Sequence, residues 1–441
     1  MIKINKRIGW RLIGEEIVAF NCDNHQIVTW NNVASQLWEK LMAGGNFDSL
    51  IDWLIKEYSL GRKNAIEDVK NFLQEASSMG FLNFEESKNQ SEPDASTGEN
   101  VLLAIELEAI KNLIPLDITF ESTYSCNEQC IHCFMERGLP SLRLSSMKRI
   151  LNEVAAAGCL FISFTGGEFF TRSDALEIIE FAGSLHFVID ILSNGVLINE
   201  RVVELLLKHP VRRVQVSLYG TTYEIHDSIT RLRGSFHKTI NAVKLLRRAG
   251  IKVEIAFPMM SINFHQRHTA RQLAESLDCL ISPSHMITAR NNGSTDTFSL
   301  RLSDEQLREF LSDKKLFDLY AGRKPFKGHQ FYLGLKDMMT APPCYSGFNS
   351  CAITPSGKVL PCNQFLYAVG DLEKRSFLEI WHNSPKLKFI RSLTLRDLTQ
   401  CSGCELLFSC ARCPGLAHLE GGNIFGPSPE NCRITKISNQ I

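Results

Sequence analysis

The stretch LDITFESTYSCNEQCIHCF, residues 116–134, joins an apolar segment to a loop that carries three closely spaced cysteines. Residues 116–123 have the composition of a buried strand, and Cys126, Cys130 and Cys133 follow it directly. Three thiolates in one short loop exceed what a fold needs in a reducing compartment, where disulfides are rare. The stretch therefore predicts a metal centre at the end of a strand.

Apolar strands and amphipathic helices alternate after this loop, so that residues 116–286 contain six strand–helix units. Consecutive units of this kind predict parallel strands with right-handed crossovers, and the nearly continuous apolar strands predict a sheet buried on both faces. The predicted fold class is α/β, a partial (β/α)6 barrel of the TIM type. We expect the site at the carboxyl ends of the strands, where barrels of this type carry their chemistry.

The sequences on either side of the barrel predict further regions. Residues 1–86 contain three short strands followed by three amphipathic helices, a pattern typical of a winged-helix-like α+β domain. Polar residues with Pro and Gly indicate a linker, which we place at 87–115, before a barrel at 116–330. Residues 331–441 are rich in cysteine and irregular, so we expect bound metal to supply much of their folding energy.

Charge and hydropathy exclude several classes of partner. The 441 residues include 48 basic and 48 acidic side chains, and this balance argues against nucleic acid or an anionic membrane as partner. No apolar signal segment follows the first residues, and the longest apolar run, 154–164, is too short to span a bilayer. We expect a cytoplasmic protein with no nucleic-acid and no membrane partner.

Three thiolates suit a [4Fe–4S] cluster in which one iron has no protein ligand. A structural zinc site is the alternative, but it needs a fourth ligand. His132 is close in sequence, yet it lies between two of the cysteines and would have to fold back to reach the metal.

The spacing C-x3-C-x2-C, followed by the aromatic residue Phe134, resembles the cysteine motif of the radical S-adenosylmethionine enzymes. In that family the amino and carboxylate groups of S-adenosylmethionine chelate the iron that lacks a protein ligand. The resemblance implies that the fourth ligand of this cluster is the cofactor, and that Phe134 lines its adenine.

Residues at the ends of later strands extend the resemblance. The tripeptide at 166–168 is similar to the GGE motif that receives the methionine ammonium with its backbone and carboxylate. Residues ending the third and fourth strands resemble the ribose-contacting positions, and a later arginine resembles the one that meets the methionine carboxylate. Taken singly, each has an ordinary structural explanation; their order along successive strand ends carries the resemblance. The implied cofactor-binding residues are Phe134, Gly166, Gly167, Glu168, Ser193, Asn194, Ser217 and Arg231.

The cysteines of the C-terminal region resemble a SPASM domain, which carries auxiliary iron–sulfur clusters, although this chain has C-x2-C where the family has C-x3-C. The resemblance implies one [4Fe–4S] cluster on Cys344, Cys351, Cys362 and Cys413 and another on Cys401, Cys404, Cys410 and Cys432. If Cys351 is not a ligand, the first of these clusters has an open iron that could bind a substrate thiolate. A pair of zinc ribbons is the alternative, because C-x2-C pairs are common in them.

The N-terminal unit invites a DNA-binding interpretation, but its third helix mixes acids and bases, whereas a recognition helix has a basic face. The unit resembles instead the PqqD-like recognition element of enzymes that modify ribosomal peptides. That resemblance implies that residues 1–86 bind the leader of a precursor peptide along a sheet edge, beside the third helix. A domain that only packs on the barrel is the alternative.

Together these resemblances imply a radical S-adenosylmethionine enzyme with three [4Fe–4S] clusters, a peptide maturase of the sactisynthase or ranthipeptide-synthase type. A 5′-deoxyadenosyl radical would remove a hydrogen from the precursor peptide, and a cysteine sulfur would form a thioether to carbon. An external donor such as flavodoxin or ferredoxin would supply electrons, and no residue stands out as a catalytic acid or base. Carbon–carbon cross-linking or peptide-derived cofactor synthesis (PQQ-like or mycofactocin-like) stays open, as does a non-catalytic zinc- and DNA-binding regulator.

Overall fold

The computed structural model describes residues 2–84, 95–136, 138–316 and 337–441. In the N-terminal region an antiparallel meander packs on three helices, as the sequence predicts. Its strands are β2 (Ile8–Ile13), β3 (Glu16–Asn21) and β4 (Ile27–Trp30), and a short strand β1 (Lys3–Ile4) pairs with β5 (Leu82–Asn83). The helices are α1 (Asn32–Met42), α2 (Phe47–Tyr58) and α3 (Arg62–Ser78).

The meander buries both of its faces, each against a different layer. Ile17 and Ala19 point into the core formed with α1, α2 and α3, where the rings of Trp30 and Trp38 lie 4.6 Å apart. Val18 and Phe20 alternate with them and point to the opposite face, as the two-residue period of a strand requires.

A helix, α4 (Ala95–Lys111), lies within the stretch 87–115 where the sequence predicts a linker. Its Ile105 and Ala109 are buried in one cluster with Val18 and Phe20 of the meander and with Phe161 of the barrel. Part of the predicted linker is therefore packed between the two domains. Residues 87–94 of the predicted linker lie outside the described residues. The sequence pattern also predicts a helix at 316–321, most of which lies outside them too.

The central region contains six parallel strands that are neighbours in chain order, which confirms the α/β fold with an open, partial barrel. They are β6 (Asp117–Glu121), β7 (Phe161–Thr165), β8 (Val188–Ser193), β9 (Val211–Ser217), β10 (Val253–Pro258) and β11 (Leu280–Ser284). Their helices are α5 (Leu144–Ala156), α6 (Ala175–Ser184), α7 (Glu200–Leu206), α8 (Tyr223–Thr230), α9 (Ser235–Arg248) and α10 (Arg267–Ser276). The sequence did not predict α8, which lies between β9 and α9.

The C-terminal region extends the same sheet instead of forming a separate one. Strand β12 (Ser350–Ile353) pairs in parallel with β6, and β13 (Lys358–Leu360) and β14 (Gly370–Asp371) continue outward as antiparallel strands. The helices here are α11 (Asp304–Ser312), α12 (Phe377–Asn383), α13 (Pro385–Ser392), α14 (Pro414–Gly421) and α15 (Pro429–Ser438). Because β12 occupies the free side of β6, the cysteine-rich region lies beside the first strand of the barrel.

Strand β2 docks on the amino-terminal end of the barrel strands, the end opposite the predicted site. The Trp10 backbone N–H donates to the His186 carbonyl at 3.0 Å, and the two rings stack. The Arg7 guanidinium donates to the carbonyls of Leu206, His209 and Val211. These bonds satisfy loop carbonyls of the barrel and leave β4 as the outer strand of the meander.

No helix within the described segments is both long and apolar enough to cross a membrane.

Candidate active site

The three-cysteine loop follows β6 and is held against the end of α8 by backbone hydrogen bonds. Gln129 N–H donates to the Thr230 carbonyl at 2.9 Å, and Ile131 N–H donates to the Ile229 carbonyl at 3.0 Å. These bonds fix the middle of the loop, so that Cys130 stands between two anchored residues. The helix that the sequence analysis missed is therefore part of the frame of the site.

Arg290 clamps the other end of the loop. Its guanidinium donates to the Cys133 carbonyl at 2.6 Å and the Ile131 carbonyl at 3.3 Å, and it forms an ion pair with Asp296 at 2.7 Å. Arg290 comes from the segment after β11, where periodicity is weak, and the sequence analysis did not single it out. Its position just after the sixth strand was the one signal available.

Three buried polar atoms of the loop lack a hydrogen-bond partner among the described residues: Asn127 Nδ2, Glu128 Oε1 and His132 Nδ1. Buried polar atoms are normally satisfied, so a cluster of orphans marks a place where another group binds. Burial also raises the pKa of the Cys130 thiol, and a bound iron cluster would supply the positive charge that keeps this thiol ionised. The donor set and its surroundings fit an iron–sulfur cluster.

Within the described residues, His132 and the three cysteines do not come together as the four-ligand site that the zinc alternative requires. The His132 ring packs against Tyr219 with centroids 4.7 Å apart, and burial lowers the pKa of His132 to about 4. No three His, Cys, Asp or Glu side chains in the described segments approach closely enough to share one metal ion. Zinc ligands lie about 2.3 Å from a single ion, whereas thiolates on a cluster bind separate irons and lie farther apart.

The two glycines after β7 let the chain cross the start of the cysteine loop at close range. A Cβ on Gly166 would lie 2.4 Å from the Thr123 carbonyl oxygen, and one on Gly167 would lie 2.1 Å from the Ser125 carbonyl oxygen. Gly166 also has φ of +136°, which disfavours any side chain. The crossing is held by Gly167 N–H donating to Thr123 at 2.7 Å and by Glu168 N–H donating to Ser125 at 2.8 Å.

The Glu168 carboxylate joins the ends of β7 and β8. One oxygen accepts from Ser193 Oγ at 2.9 Å and from Phe170 N–H at 3.1 Å, and the other accepts from Asn194 N–H at 2.7 Å. Burial raises the pKa of Glu168, while these donors lower it. Glu168 therefore shapes the Ser193–Asn194 turn, and its predicted contact with the methionine ammonium stays a prediction.

The remaining predicted cofactor residues lie around the same loop. Asn194 Nδ2 donates to Asn127 Oδ1 at 2.8 Å, which ties the turn after β8 to the cysteine loop. The Phe134 carbonyl accepts from Asn291 N–H at 2.8 Å, Ser217 hydrogen-bonds Tyr219, and Arg231 is exposed at the end of α8 with φ of +54°. The structure brings these strand ends together, and their individual roles toward the cofactor stay predictions.

Four cysteines of the C-terminal region line one small cavity in the structure: Cys401, Cys404, Cys410 and Cys432. This is the set that the sequence analysis assigns to the second auxiliary cluster. Arg412 and Lys436 also line the cavity and place positive charge beside the thiols. Burial raises the pKa of Cys401 and Cys432, so these thiols also need a cationic partner to ionise.

The other auxiliary group contains three cysteines and not four. Burial is the main cause that raises the pKa of Cys362 to about 11, and the thiols of Cys344 and Cys413 add to it, so these three lie together. Cys351 does not join them. It is buried in the main core at 4% exposure, opposite Ile118 of β6, and its charged neighbours are Asp117 and Arg391.

The structure does not place Cys351 with the other three cysteines of this group, and its role as a cluster ligand stays a prediction. Cys351 lies in β12, whose pairing with β6 turns its side chain into the core formed with α5. This placement could not be predicted from the sequence, because the pairing of β12 with β6 joins residues far apart in the chain. The first auxiliary group keeps Cys344, Cys362 and Cys413.

At the far end of the molecule, β4 offers a sheet edge beside α3. Asn21 N–H donates to the Gln26 carbonyl, and the alternation of an antiparallel ladder then turns the Thr29 N–H away from β3. No strand within the described segments pairs with this outer edge of β4. Thr29 is exposed, so the edge is open to an added strand.

Three family patterns match this chain, each in one region. The pattern of the Radical SAM superfamily matches residues 120–277, and that of SPASM, an iron-sulfur cluster-binding domain, matches residues 344–405. The pattern of coenzyme PQQ synthesis protein D (PqqD) matches residues 16–82. The matches fall on the barrel, the cysteine-rich region and the meander with its three helices.

Two curated relatives illustrate the range of similar proteins. An AdoMet-dependent heme synthase from Methanosarcina barkeri is 25% identical over 71% of this chain and 95% of its own length. The antilisterial bacteriocin subtilosin biosynthesis protein AlbA from Bacillus subtilis is 28% identical over 62% of this chain and 60% of its own length. The match with AlbA thus leaves a large part of that protein uncovered.

The fold is similar to that of Streptococcus suis SuiB, solved bound to the precursor peptide SuiA. The TM-score is 0.60, the identity is 17%, and the match covers 94% of this chain and 96% of SuiB. Since the match covers almost the whole of this chain, it is not confined to any one of its three regions.

Proposed function

Because the chain belongs to the radical SAM enzymes, with PqqD-like and SPASM domains beside the barrel, we propose that it modifies a ribosomal precursor peptide by forming a thioether between a cysteine sulfur and a carbon. The family domains imply S-adenosylmethionine and several [4Fe–4S] clusters as cofactors. We assign one cluster to the barrel loop and two to the SPASM region. The proposed domain limits are 1–86, 116–330 and 331–441, with 87–115 between the first two.

The open edge of β4 is the observation that supports a peptide as the substrate. An extended peptide that added to this edge would gain backbone hydrogen bonds from the outward N–H and C=O groups, and α3 would supply side-chain pockets. The opposite edge of the meander, β2, is docked on the barrel through Trp10 and Arg7. SuiB, solved bound to its precursor peptide, and AlbA, a bacteriocin biosynthesis protein, agree with such a substrate.

When bound, the cluster and S-adenosylmethionine supply a 5′-deoxyadenosyl radical that removes hydrogen from an unactivated carbon. The residues of this chain hold the parts in place. Arg290 and the end of α8 fix the cysteine loop, the two glycines bring β7 against it, and Glu168 orients the turn after β8.

The three-cysteine auxiliary group supports a thioether as the bond formed. Cys344, Cys362 and Cys413 would leave one iron of their cluster without a ligand from this chain, since Cys351 lies in the core. A substrate thiolate is a soft ligand that suits such an iron. We further propose that flavodoxin or ferredoxin supplies electrons and that the protein works in the cytoplasm, because none of its fourteen cysteines forms a disulfide.

The test is mass spectrometry of the peptide encoded beside this gene, after anaerobic reaction with S-adenosylmethionine and reductant. A thioether predicts the loss of two hydrogens per cross-link and the loss of one alkylatable cysteine. Loss of two hydrogens with every cysteine still alkylatable would indicate a carbon–carbon bond and exclude the thioether. A non-peptide substrate is the second candidate, because one relative is a heme synthase. An unchanged peptide mass would favour this candidate.

Binding at the β4 edge has its own test with a fluorescently labelled leader peptide. Thr29→Pro removes the outward N–H donor at a position where an edge strand tolerates proline, so we expect weaker binding by about 10-fold. Thr29→Val keeps the N–H and is the matched control. Equal affinities for the two variants would exclude strand addition at this edge.

A further inference from the structure

The interior of the barrel is polar and open to solvent. Along β6, Ile118 and Phe120 point outward into the core formed with the helices, so that Asp117, Thr119 and Glu121 point inward. The same alternation recurs in the other barrel strands, where inward residues are mostly half-buried and outward ones are buried. A substrate entering from the strand ends would meet these inward side chains.

Four charged groups near the base of the interior satisfy one another, whereas Asp117 on β6 has no hydrogen bond or ion pair among the described residues, and burial raises its pKa to about 6. Asp190 accepts from Arg212 and Arg213, and Arg213 also donates to Glu254. Gln215 donates to the second oxygen of Glu254 at 2.6 Å. This network leaves no charge of the set without a partner and gives the base of the barrel a structural role.

Glu121 lacks the partners that the members of this network supply to one another. It ends β6 on the inward face and is 5% exposed, yet no described residue gives its carboxylate a hydrogen bond or an ion pair. Burial raises its pKa to about 7. Leaving a carboxylate buried and unpaired costs stability, and such a position is retained where a function needs it.

The surroundings of Glu121 place it between the two metal-binding regions. On β7 its register partner is Thr165, and β12, whose Ile353 pairs with Phe120, brings the cysteine-rich region to its other side. Cys126 follows five residues later in the chain. Tyr124 is a titratable neighbour, and Glu121 adds to the burial that raises the Tyr124 pKa. The Arg172 guanidinium lies nearby and donates to the carbonyl of the adjacent Ser122.

We propose that Glu121 is the proton acceptor of the coupling step, an inference that rests on the proposed function. After hydrogen abstraction, the peptide carbon radical forms a C–S bond with the cysteine sulfur. The S–H bond of that cysteine would break as its sulfur takes the thiolate form that suits the open iron, and the proton would pass to the Glu121 carboxylate. One electron leaves the nascent bond for an oxidised [4Fe–4S] auxiliary cluster, so that atoms and charge balance.

This assignment explains why a carboxylate stands here without a partner. A base must have its lone pairs free in the resting protein and must sit within reach of the proton it accepts. The Thr165 hydroxyl beside it, and the threonine that follows β12, are neutral and do not compete as bases. In the proposed reaction, the cysteine sulfur and the carbon radical of the peptide meet between the radical site and the three-cysteine group. Glu121 lies between these two regions.

The test compares Glu121→Gln and Glu121→Asp with the wild-type enzyme, all loaded with clusters. Glu204→Gln, at an exposed carboxylate on α7, is the matched control. We expect Glu121→Gln to cleave S-adenosylmethionine in the presence of peptide within about 2-fold of wild type, but to lower cross-linked product by about 100-fold or more. Deoxyadenosine would then exceed product, whereas the two stay near equal in the wild type and in Glu204→Gln.

Two further readouts separate a proton acceptor from a merely structural residue. Wild-type product formation should rise with pH through about 7, the pKa of Glu121, and this rise should be absent in Glu121→Gln. Glu121→Asp should restore part of the product. A wild-type ratio of deoxyadenosine to product in Glu121→Gln, together with an unchanged pH profile, would overturn the assignment. If the wild-type enzyme itself forms no cross-link, the proposed function fails instead.

Discussion

Asp190 at the amino-terminal end of the barrel and Glu121 at the carboxyl-terminal end are both buried carboxylates, but only Asp190 is paired. At the amino-terminal end, Asp190 is 1% exposed and is held by Arg212 and Arg213. At the carboxyl-terminal end, Glu121 and Glu128 are equally buried, but Glu121 has no partner among the described residues and Glu128 has one oxygen without a partner. The N-terminal domain docks on the first end, and the cysteine loop lies at the second.

The difference shows which end is built for stability and which for binding. Paired charges stabilise the folded protein without any ligand. Unpaired buried groups gain hydrogen bonds or ion pairs only when a ligand or cofactor binds. Every residue that the sequence analysis assigned to the cofactor lies at the second end or on the loops beside it. Variants at the two ends should therefore affect different properties.

The most severe loss should follow from Cys130→Ala in the cysteine loop. With one of three thiolates missing, the radical cluster cannot be held, and deoxyadenosine formation should fall below detection. Deoxyadenosine is measured by chromatography after anaerobic reaction with reductant. Cys279→Ala, a half-buried cysteine outside every group, is the control and should keep wild-type activity. Retained cleavage in Cys130→Ala would remove the cluster from this loop.

At the base of the barrel, Asp190→Asn should lower the free energy of unfolding by about 3–5 kcal/mol, because it removes a buried charge that pairs with both Arg212 and Arg213. Urea unfolding of the protein measures this change. Glu121→Gln, at the other end, should cost nothing or stabilise the protein, since it removes an unpaired carboxylate. Equal losses of unfolding free energy in the two variants would mean that Asp190 and Glu121 contribute alike to stability.

The same pair should respond to pH with opposite signs. Burial alone would raise the pKa of Asp190, but Arg212 and Arg213 hold it below its usual value, so its stabilisation is lost as pH falls. The pKa of Glu121 is raised from 4.5 to about 7, so the folded protein loses stability as pH rises through 7. Wild type should therefore weaken relative to Glu121→Gln by up to about 3 kcal/mol between pH 5 and about 8. Melting curves of both proteins across that range measure the difference, and parallel curves would show that Glu121 ionises normally.

Much of this arrangement was foreseeable from the sequence. The alternation of strands and helices, the order of motifs at strand ends and the three-strand, three-helix unit all depend on local patterns, and all of them are found in the structure. Features that depend on distant pairing were not foreseeable. They include the addition of β12 to β6, which moves Cys351 into the core, and the docking of β2 on the barrel.

The roles of Glu121 and Arg290 were hidden for a related reason. Glu121 looks like an ordinary residue at the end of a strand until burial and the absence of a partner in the described segments are known. Arg290 lies in a segment without periodicity, and only the folded chain brings its guanidinium to the Cys133 carbonyl. Contacts of this kind cannot be predicted from the spacing of residues or from the amino-acid composition.

A smaller effect should follow from Arg290→Met, which removes the clamp on the cysteine loop but none of its thiolates. Misplacing the loop by a fraction of an ångström should slow deoxyadenosine formation by roughly 10-fold, with iron content unchanged. Arg308→Met, at an exposed arginine of α11, is the control. Wild-type rates in Arg290→Met would show that the end of α8 holds the loop unaided.

The smallest effect should come from Cys351→Ser. Because this thiol lies in the core and away from Cys344, Cys362 and Cys413, the variant should keep its iron and sulfide content within error. Cys362→Ser should instead lose about one cluster of four irons per chain. Loss of a cluster in Cys351→Ser would show that Cys351 is a cluster ligand. The iron that we assign to the substrate thiolate would then already have a protein ligand.

A single reaction decides whether the loop at 126–133 holds a cluster that cleaves S-adenosylmethionine. Anaerobically reconstituted protein is mixed with S-adenosylmethionine, dithionite and the neighbouring precursor peptide, and deoxyadenosine and peptide mass are measured together. We predict deoxyadenosine in step with a peptide lighter by two hydrogens. Protein that carries its full iron and still yields no deoxyadenosine would refute the assignment of the loop.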